Sequence, residues 1–556
     1  MKSTIRFSGP TGQLASNLSK NWLTGLRQSN PAILDVFRDR DVRPCRDLLQ
    51  WSGEFPGKYL TSAYHIHAIT GDRALKKAVA AFVEETLTYQ AENGYLGCFD
   101  AEMSGAFPAN PETPGQNWDA WGHYHLMCGL LLWEKELRNP RIAPALKKMA
   151  DFFLTHFYNG KRPLSSLNWS EMNLAVYHGF ALLYERFHDE RYLAFAKEIE
   201  EDMRSEGDYL SVGLAKTDFF ACAKPRWESM HVLMGFTEMY KITGETRYLT
   251  ASAFLADSIL RTDVHNTGGF STREQAVGNP FTFGPIETCC VVAFDAFVNG
   301  LWQITHDIRY IEHLENAHYN AMMGACSPTG VWSTYDTPME GERRANFHEI
   351  GFQNKPGAPM LNCCSVNAPR GVGEIGTWAV KETENELYIN TFEALTYQSD
   401  TARVTIAGAF PYQSDPSIRI DTEKTVLLRV PAWTKAPEVT VNGTLVSAKP
   451  GRYLTVPGHA DITAVFPMSC ALTYGENDVA GRVSIRYGAL LFAWDASYDP
   501  QDHGVIPTLK KTDLKKAVPE KIDGGACLRL PDGHCLVSFA LAGQRGSHYT
   551  TWMYVT

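Results

Sequence analysis

One short stretch of the chain reads Ile242-Thr243-Gly244-Glu245-Thr246-Arg247-Tyr248-Leu249, and variants of it recur within the first 310 residues. The other copies read Ile69-Thr70-Gly71-Asp72-Arg73-Ala74-Leu75, Phe187-His188-Asp189-Glu190-Arg191-Tyr192-Leu193 and, more loosely, Ile304-Thr305-His306-Asp307-Ile308-Arg309-Tyr310. Each copy lies between two apolar patterns of helical period. It places a Gly or His before an acidic or capping residue, as where one helix ends and the next begins. Each copy therefore predicts a helical hairpin.

The spacing of these hairpins indicates how they assemble. A further hairpin is predicted from residues 118–136 and 142–157, so that hairpins follow one another at intervals of roughly 50 to 70 residues. Such repeats either stack as an open solenoid or close into a ring of inner and outer helices. The long irregular segments at 94–117 and 264–285 suit loops at one mouth of a ring, where sites are usually built. We therefore expect a closed helical barrel.

Beyond about residue 380 the hydrophobic pattern changes from a helical to an alternating period. Alternating segments lie at 386–389, 417–420, 425–430, 438–441, 453–456 and 482–485. The dipeptide Asn442-Gly443 between two of them is a hairpin-turn signal. The predicted fold is α+β and multidomain, with a helical barrel over residues 1–380 and a β-sandwich over residues 381–556 that serves as structural support.

The composition of the 556-residue chain disfavours several classes of partner. Lys and Arg number 52 against 62 Asp and Glu, and the net charge of −10 argues against nucleic acid bound through its phosphates. No apolar run approaches the roughly 18 residues of a membrane span, and the first residues carry no apolar signal core, so we expect no membrane partner and a cytoplasmic location. Twelve cysteines are too few for a disulfide scaffold, which favours free thiols or a metal site in a reducing compartment.

Two segments about 75 residues apart concentrate side chains that bind soft metals. The first reads Glu287-Thr288-Cys289-Cys290. Glu287 and Cys289 share a face if the chain is extended there. An apolar helical pattern begins directly afterwards at Val291, which puts Cys289 near a helix N-terminus, where the macrodipole favours a thiolate.

The second segment contains the adjacent pair Cys363-Cys364. Both sulfurs can face one metal only across a sharp backbone bend, and Gly357, Pro359 and Pro369 favour such a bend. Three thiolates and a carboxylate suit tetrahedral zinc. From spacing alone three interpretations stay open: buried apolar cysteines, a closed structural zinc site, and a zinc ion that holds a reactive thiolate.

Seven landmarks of the sequence occur in a recognisable order. They are Lys58-Tyr59-Leu60-Thr61-Ser62-Ala63, Asn93-Gly94-Tyr95-Leu96-Gly97, Thr267-Gly268-Gly269 with Glu274, Glu287-Thr288-Cys289, Tyr335 with Pro338-Met339-Glu340, Asn362-Cys363-Cys364 to Arg370, and Arg429-Val430-Pro431-Ala432-Trp433. In this order they resemble glycoside hydrolase family 127, the β-L-arabinofuranosidase type, formerly a domain of unknown function. The resemblance implies an (α/α)6 barrel followed by a β-sandwich, in agreement with the repeats and periods.

The resemblance also implies a chemistry. It assigns a zinc ion (Zn2+) to Glu287, Cys289, Cys363 and Cys364, the role of nucleophile to Cys363, and the role of general acid/base to Glu274. A retaining glycosidase needs a nucleophile on one face of the anomeric carbon and a proton donor on the other. Zinc coordination would deprotonate a thiol that is otherwise mostly neutral at pH 7, so a cysteine can replace the usual carboxylate.

Aromatic and imidazole side chains are predicted to complete the sugar pocket. These substrate-binding candidates are His123, His125, Trp227, His231 and Tyr335. The expected partner is an oligosaccharide or glycoside substrate. Whether the chain forms a homodimer is left open.

The leading hypothesis is a retaining exo-glycosidase that releases a terminal L-arabinofuranose, or a close furanose relative, from plant-derived oligosaccharides. One alternative is a related glycosidase that acts on another plant cell-wall sugar. Another is a different (α/α)6 enzyme, such as an unsaturated uronyl hydrolase or a sugar epimerase, which needs no cysteine cluster. The non-enzymatic alternative is a carbohydrate-binding protein with a structural zinc. Zinc content and the turnover of an aryl furanoside separate these hypotheses.

Overall fold

The computed structural model describes residues 3–44, 46, 48–100, 118–167, 170–205, 207–344, 361–501 and 505–556. Its α-helices are α1 (Pro10–Leu18), α2 (Leu26–Ser29), α3 (Ala32–Arg38), α4 (Phe55–Thr70), α5 (Arg73–Thr88), α6 (Asp119–Leu137), α7 (Ile142–His156), α8 (Ser170–Asn173), α9 (Val176–Phe187), α10 (Glu190–Asp202), α11 (Tyr209–Leu214), α12 (Met230–Thr243), α13 (Thr246–Thr262), α14 (Thr288–Thr305), α15 (Ile308–Asn316), α16 (Met323–Ala325), α17 (Cys363–Gly373), α18 (Ile375–Trp378) and α19 (Lys511–Leu514). Its strands are β1 (Thr4–Phe7), β2 (Ile286–Glu287), β3 (Asp336–Thr337), β4 (Glu340–Glu342), β5 (Val380–Glu382), β6 (Glu386–Ile389), β7 (Leu395–Gln398), β8 (Ala402–Ala407), β9 (Ser417–Thr422), β10 (Thr425–Val430), β11 (Glu438–Val441), β12 (Thr444–Val446), β13 (Arg452–Val456), β14 (His459–Val465), β15 (Cys470–Tyr474), β16 (Val483–Tyr487), β17 (Leu490–Asp495), β18 (Thr508–Leu509), β19 (Pro519–Ile522), β20 (Gly525–Arg529), β21 (Cys535–Ser538), β22 (His548–Thr550) and β23 (Tyr554–Val555).

Six helices form the inner wall of a closed barrel. They are α4, α6, α9, α12, α14 and α17, which pack against one another in this order, and α17 packs against α4 to close the ring. Five of them continue through a short turn into an outer helix, namely α5, α7, α10, α13 and α15. Helix α1 packs against both α17 and α4 and covers the sixth position. The predicted (α/α)6 barrel is confirmed.

The recurring stretch forms the turn inside these hairpins. Gly71 and Gly244 end their helices with φ of 69° and 71°, a left-handed conformation that glycine adopts without a steric penalty. The carboxylates of Asp72, Asp189 and Asp307 then accept backbone N–H groups in the first turn of the next helix. Capping of this kind stabilises each outer helix by about 1 kcal/mol.

Helix α14 (Thr288–Thr305) is long and apolar, and it carries one of the predicted metal-binding segments at its N-terminus. Within the described chain it is the helix whose length and mean hydropathy of 1.2 would suit a membrane span. However, 72% of it is buried inside the protein. Burial on all sides is what an inner-barrel helix requires, because it packs on neighbouring helices and on its own outer partner.

The strands after α18 form the predicted sandwich. A seven-stranded sheet has the order β1-β7-β8-β9-β14-β11-β12, and a four-stranded sheet has the order β13-β10-β6-β5. Side chains of β8, β9 and β14 alternate between buried and exposed, and the buried faces of the two sheets join one hydrophobic cluster. A third sheet runs β15-β16-β17-β21-β20-β19, with β22 and β4 attached to β17. The β-sandwich following the barrel is confirmed.

Three details of the sheets differ from the sequence analysis or extend it. Strand β1 (Thr4–Phe7) comes from the N-terminal end of the predicted barrel segment, but it pairs with β7 in the seven-stranded sheet. Strand β4 (Glu340–Glu342) likewise pairs with β22. Cys527 and Cys535 form a disulfide, because the register of the antiparallel strands β20 and β21 makes them diagonal neighbours. The prediction of free thiols or metal ligands is therefore wrong for this pair.

Candidate active site

Four buried side chains meet at the mouth of the barrel where α14 and α17 begin. They are Glu287, Cys289, Cys363 and Cys364, and one ligand atom from each lies within 4.8 Å of the other three. Residues 75 positions apart in sequence are brought together because α14 and α17 are neighbours in the ring. The structure thus assembles all four predicted zinc ligands.

The first pair of ligands is positioned by a strand that leads into a helix. Ile286–Glu287 forms β2, which pairs with β3 (Asp336–Thr337), and Glu287 has extended backbone as the N-cap residue of α14. Cys289 already lies in the first turn of that helix. Our expectation that both residues belong to an extended segment is wrong for Cys289, although its predicted place at a helix N-terminus is correct.

The second pair is positioned by a capped helix and not by a bend. Helix α17 begins at Cys363, after an Asn362 whose side chain accepts the Ser365 N–H, while the Ser365 hydroxyl accepts the Asn362 N–H. Pro369 lies inside this helix. The predicted bend is wrong, because the first helical turn already brings the sulfurs of Cys363 and Cys364 to 3.8 Å. Of the residues invoked for that bend, Gly357 and Pro359 lie outside the described residues.

The distances among the four donors fit a tetrahedral ion. The Cys364 sulfur lies 3.4 Å from the Cys289 sulfur and 3.5 Å from Glu287 Oε1, and the Cys363 sulfur lies 3.8 Å from the same oxygen. With Zn–S bonds of about 2.3 Å, the ligands of a tetrahedral zinc stand about 3.8 Å apart. Three sulfurs and one carboxylate also match the ligand preference of zinc. The site can therefore hold a metal ion.

Burial and neighbouring groups raise the pKa of two of the four donors. Burial, the negative charge of Cys289 and the nearby Glu274 raise the pKa of Glu287 well above its usual value. Hydrogen bonding to Cys289, together with burial, likewise raises the pKa of the Cys363 thiol. A thiolate at Cys363 at neutral pH therefore needs a positive charge beside it.

Lys58, on inner helix α4, supplies part of this positive charge. Its Nζ lies 3.9 Å from the Cys289 sulfur and 3.0 Å from a carboxylate oxygen of Glu54, and both Lys58 and Glu54 are buried. Burial raises the pKa of Cys289, but hydrogen bonds from the other two thiols and the charge of Lys58 outweigh burial and hold that pKa well below its usual value. Lys58 also stands over the rings of Trp121 and Trp227, at 5.6 and 5.1 Å.

A cavity of about 390 Å³ opens beside the four donors, within the usual size range of small-ligand sites. Its lining residues are Leu49, Gln50, Trp51, Glu54, Trp118, Arg226, Trp227, Glu228, Glu274, Glu287, Tyr335, Asn362 and Cys363. Cys363 is 7% exposed, whereas Cys289 and Cys364 are fully buried and do not border the cavity. Cys363 is therefore the cysteine of the donor cluster that a molecule in the cavity can contact.

Glu274 reaches the same cavity from a tight turn. Arg273 and Glu274 have φ of 49° and 73°, between Thr272 and Gln275, whose backbones exchange two hydrogen bonds. Two residues with positive φ define a turn that normally prefers Asn or Gly, so this backbone is strained, as is common at functional sites. The turn is fastened to the neighbouring segment because the Trp227 N–H donates to the Glu274 carbonyl at 3.1 Å.

Both carboxylate oxygens of Glu274 are held in place. Tyr335 donates its hydroxyl to Oε1 at 2.8 Å, and Arg226 donates Nη2–H to Oε2 at 2.9 Å. Burial and the surrounding acidic groups raise the pKa of Tyr335, so its hydroxyl stays a donor. The side chain of Glu274 is 31% exposed and can exchange protons with a molecule in the cavity.

Of the five predicted substrate-binding residues, the structure brings Trp227 and Tyr335 to the cavity. His125 and His231 are buried against Trp121, with ring centroids 4.3 and 4.8 Å from its ring, and do not border the cavity. Burial lowers the pKa of both histidines, so both rings are neutral. Their Nε2 atoms have no hydrogen-bond partner within the described part of the chain.

His123 is also outside the cavity. Its Nδ1 lies 2.8 Å from the carbonyl oxygen of Asp119, and its Nε2 accepts the N–H of Leu96 at 3.1 Å. The ring of His123 is fully buried and packs against Phe152 and Phe153. Because both ring nitrogens bond to backbone groups, His123 fastens the 95–97 segment to α6. The structure does not bring it to the other candidates.

Sequence reasoning missed four charged residues of this region. Arg226 and Glu228 flank the predicted Trp227, Glu54 precedes the first family landmark, and Lys58 is the first residue of that landmark but was assigned no role in the site. Arg226-Trp227-Glu228 lies just before the start of inner helix α12, at the same mouth of the barrel as the four donors. This position before an inner helix was the signal in the sequence that could have identified these residues.

Comparison with known proteins identifies the family. Residues 28–376 match the description "Beta-L-arabinofuranosidase, GH127 catalytic domain", and residues 386–468 match "Beta-L-arabinofuranosidase, GH127 middle domain". No curated protein matches the chain in sequence.

Three solved structures share the whole fold. A GH127 β-L-arabinofuranosidase from Geobacillus stearothermophilus T6 is 15% identical, with a TM-score of 0.78 and full coverage of both chains. A GH127 β-arabinofuranosidase is 16% identical, with a TM-score of 0.78 and coverage of 100% of this chain and 97% of that one. A structure described as a glycoside hydrolase is 17% identical, with a TM-score of 0.76 and coverage of 100% and 96%. On the strength of the two domain matches, the chain belongs to glycoside hydrolase family 127 and is a glycoside hydrolase.

Proposed function

We propose that this glycoside hydrolase is a retaining, exo-acting β-L-arabinofuranosidase with Cys363 as nucleophile and Glu274 as general acid/base. The observation that carries the proposal is that Cys363, alone among the three thiols of the donor cluster, borders the cavity that Glu274 also lines. In a closed structural site none of the thiols needs to border a ligand cavity. Cys363 is also the first residue of α17, where the helix macrodipole favours a thiolate.

In the first step the Cys363 thiolate attacks the anomeric carbon of the bound sugar. The carbon–sulfur bond forms as the bond to the departing oxygen breaks, and Glu274 transfers its proton to that oxygen. Tyr335 and Arg226 hold the carboxylate group in place during this transfer. The product of this step is a sugar attached covalently to Cys363.

In the second step Glu274, now ionised, takes a proton from water. The water oxygen bonds to the anomeric carbon, the carbon–sulfur bond breaks, and the thiolate is regenerated. Two inversions give net retention of configuration. A zinc ion held by Glu287, Cys289, Cys363 and Cys364 would supply the positive charge that keeps Cys363 deprotonated.

The substrate assignment rests on the family and on the size of the cavity. The solved GH127 structures named as β-L-arabinofuranosidase and β-arabinofuranosidase support an arabinofuranose as the sugar. A volume of about 390 Å³ lies near the lower end of the range for small-ligand sites, which favours a single sugar ring over a bound chain. Trp51, Trp118 and Trp227 offer apolar faces for the C–H groups of such a ring.

A panel of aryl glycosides tests the substrate and the stereochemistry. We expect turnover of an aryl β-L-arabinofuranoside, with little or none of the α-L-arabinofuranoside, the β-L-arabinopyranoside and the β-D-galactofuranoside. Proton NMR during the reaction should show the β-anomer as the first product. Hydrolysis of a different member of the panel would reject the substrate assignment, and a first product of inverted configuration would reject the covalent route.

Metal analysis tests the zinc assignment. We expect about one zinc ion per chain in the purified protein and loss of activity on chelation, because four buried donors at the observed spacing favour tetrahedral zinc. Cys364→Ser should lower the zinc content, whereas the matched variant Cys326→Ser, at a buried thiol outside the donor cluster, should keep it. A fully active preparation without metal contradicts the assignment.

A further inference from the structure

The guanidinium of Arg226 connects two carboxylates at the edge of the cavity. Its Nε and Nη2 bond to the two oxygens of Glu228 at 3.1 and 2.8 Å, and Nη2 also bonds to Glu274 at 2.9 Å. The pairing with Glu228 is bidentate, the strongest geometry for this ion pair. The position of Glu274 therefore depends on an arginine that Glu228 holds in place.

The three side chains differ in their exposure to solvent. Glu228 is 1% exposed, whereas the side chains of Arg226 and Glu274 are 26% and 31% exposed. Burial raises the pKa of Glu228 to about 7, with Arg226 opposing the rise, so Glu228 gains its charge near neutral pH. Once charged, it offsets the positive charge of Arg226 at hydrogen-bond distance.

A lone guanidinium beside Glu274 would work against acid catalysis. A positive charge at hydrogen-bond distance favours the ionised form of a carboxylic acid and can shift its titration by about 1 to 3 pH units. A general acid must instead hold its proton until the departing oxygen takes it. Arg226 can thus orient Glu274 without removing its proton only if another anion balances the arginine.

We propose that Glu228 is a positioning residue that balances the charge of Arg226, so that Arg226 orients Glu274 while Glu274 keeps the proton it transfers. This inference rests on the proposed role of Glu274 as general acid. It assigns Glu228 no contact with the reacting atoms. Its consequence is that the enzyme stays active to higher pH than an Arg–Glu pair alone would allow.

Other ionisable groups face these carboxylates. Glu287 and Cys290 interact electrostatically with both Glu274 and Glu228. Tyr335 interacts with Glu274, and Tyr209 interacts with Glu228. None of these four groups is a cation. Within the described part of the chain, Arg226 is the positive charge that bonds to Glu228 and Glu274, and Glu228 is its second anionic partner.

The test measures the pH dependence of kcat/KM on the aryl glycoside that the enzyme hydrolyses. Glu228→Gln should move the alkaline fall in kcat/KM to lower pH by about one unit or more, because the guanidinium is then unbalanced. Arg226→Gln should move it to higher pH, because Glu228 then leaves an extra negative charge beside Glu274. A general loss of structure would lower the rate without moving the two profiles in opposite directions.

Two further variants complete the design. Glu228→Asp, which keeps the charge, should restore the unmodified profile, and the double variant Arg226→Gln with Glu228→Gln should bring the alkaline fall back towards it. If Glu228→Gln alone does not fold, the comparison of Arg226→Gln with the double variant decides, because these two proteins differ only in the charge of Glu228. Profiles that stay in place, or that move in the same direction in both single variants, overturn the inference.

The same measurements separate this inference from the proposed function. The leaving-group dependence of Glu274→Gln tests whether Glu274 is the acid at all. If that dependence is present while the Glu228 and Arg226 variants leave the profile unchanged, only the balancing role of Glu228 is rejected. If that dependence is absent, the assignment of Glu274 is rejected as well.

Discussion

Cys363→Ser is expected to lower kcat/KM by about 1000-fold or more. A serine hydroxyl is a poorer nucleophile at neutral pH and a poorer zinc ligand than a thiolate, so the covalent route closes. Loss of activity alone is ambiguous, because the substitution also removes one of the four metal donors and weakens a site coupled to folding.

Covalent labelling of the unmodified enzyme resolves this ambiguity. A furanose-configured epoxide of the cyclophellitol type, or a matching haloacetamide, should attach to Cys363, the thiol that borders the cavity, and peptide mass analysis should locate it there. Cys363→Ser should block the attachment. Cys290→Ser should not, because the serine hydroxyl can keep the bond that this buried thiol makes to Glu287 at 3.5 Å.

Cys364→Ser is the sharper comparison, because Cys364 belongs to the same donor cluster but does not border the cavity. It should weaken zinc binding as much as Cys363→Ser does, while any label still attaches to Cys363. A label on Glu274 or another carboxylate, or an inactivated enzyme with Cys363 unmodified, would reduce Cys363 to a metal ligand.

The sequence predicts the barrel well because its signals are local. A positive-φ residue at the end of one helix and a capping aspartate at the start of the next, as at Gly71 and Asp72, depend on neighbours a few residues away. The strand β1 was missed for the opposite reason. Its four residues, Thr4–Phe7, form a strand by pairing with β7, which lies nearly 400 positions later.

The candidate site likewise contains some residues that could be predicted from the sequence and others that could not. The metal donors could be predicted because cysteines are rare and their spacing is visible, and the family resemblance points to Glu274. The positions of His125 and His231 depend on packing around Trp121, which no spacing reveals. The shared guanidinium of Arg226 joins a helix start to a turn 48 residues later, and such ion pairs leave no periodic trace in a sequence.

The family match favours glycoside hydrolysis over two of the alternatives considered from the sequence, and the sugar remains a proposal. A member of glycoside hydrolase family 127 is neither an epimerase nor a non-enzymatic sugar-binding protein. The choice between a structural and a catalytic metal then depends on access. Because Cys363 borders the cavity that Glu274 also lines, access favours the catalytic interpretation that we propose.

Glu274→Gln should affect substrates with poor leaving groups much more than substrates with good ones. For substrates with poor leaving groups, such as an alkyl arabinofuranoside, kcat/KM should fall by about 100- to 10,000-fold, because the departing oxygen needs a proton. For a dinitrophenyl arabinofuranoside it should change little, since that leaving group departs as an anion. The measurement is a plot of kcat/KM against the acidity of the leaving group, which should become steeper in the variant.

The same variant also tests the second step. Without a base to activate water, the sugar should accumulate on Cys363, giving a burst of dinitrophenolate followed by a slow phase. Azide needs no general base, so adding it should accelerate the slow phase and yield the glycosyl azide of retained configuration.

The glutamine amide can still accept a hydrogen bond from Tyr335, but it carries no negative charge to pair with Arg226. Zinc content and melting temperature therefore serve as controls for the local structure. Equal losses for good and poor leaving groups, with no rescue by azide, would mean that Glu274 shapes the cavity but does not move the proton, and Glu228, the other carboxylate on Arg226, would then be the next acid to test.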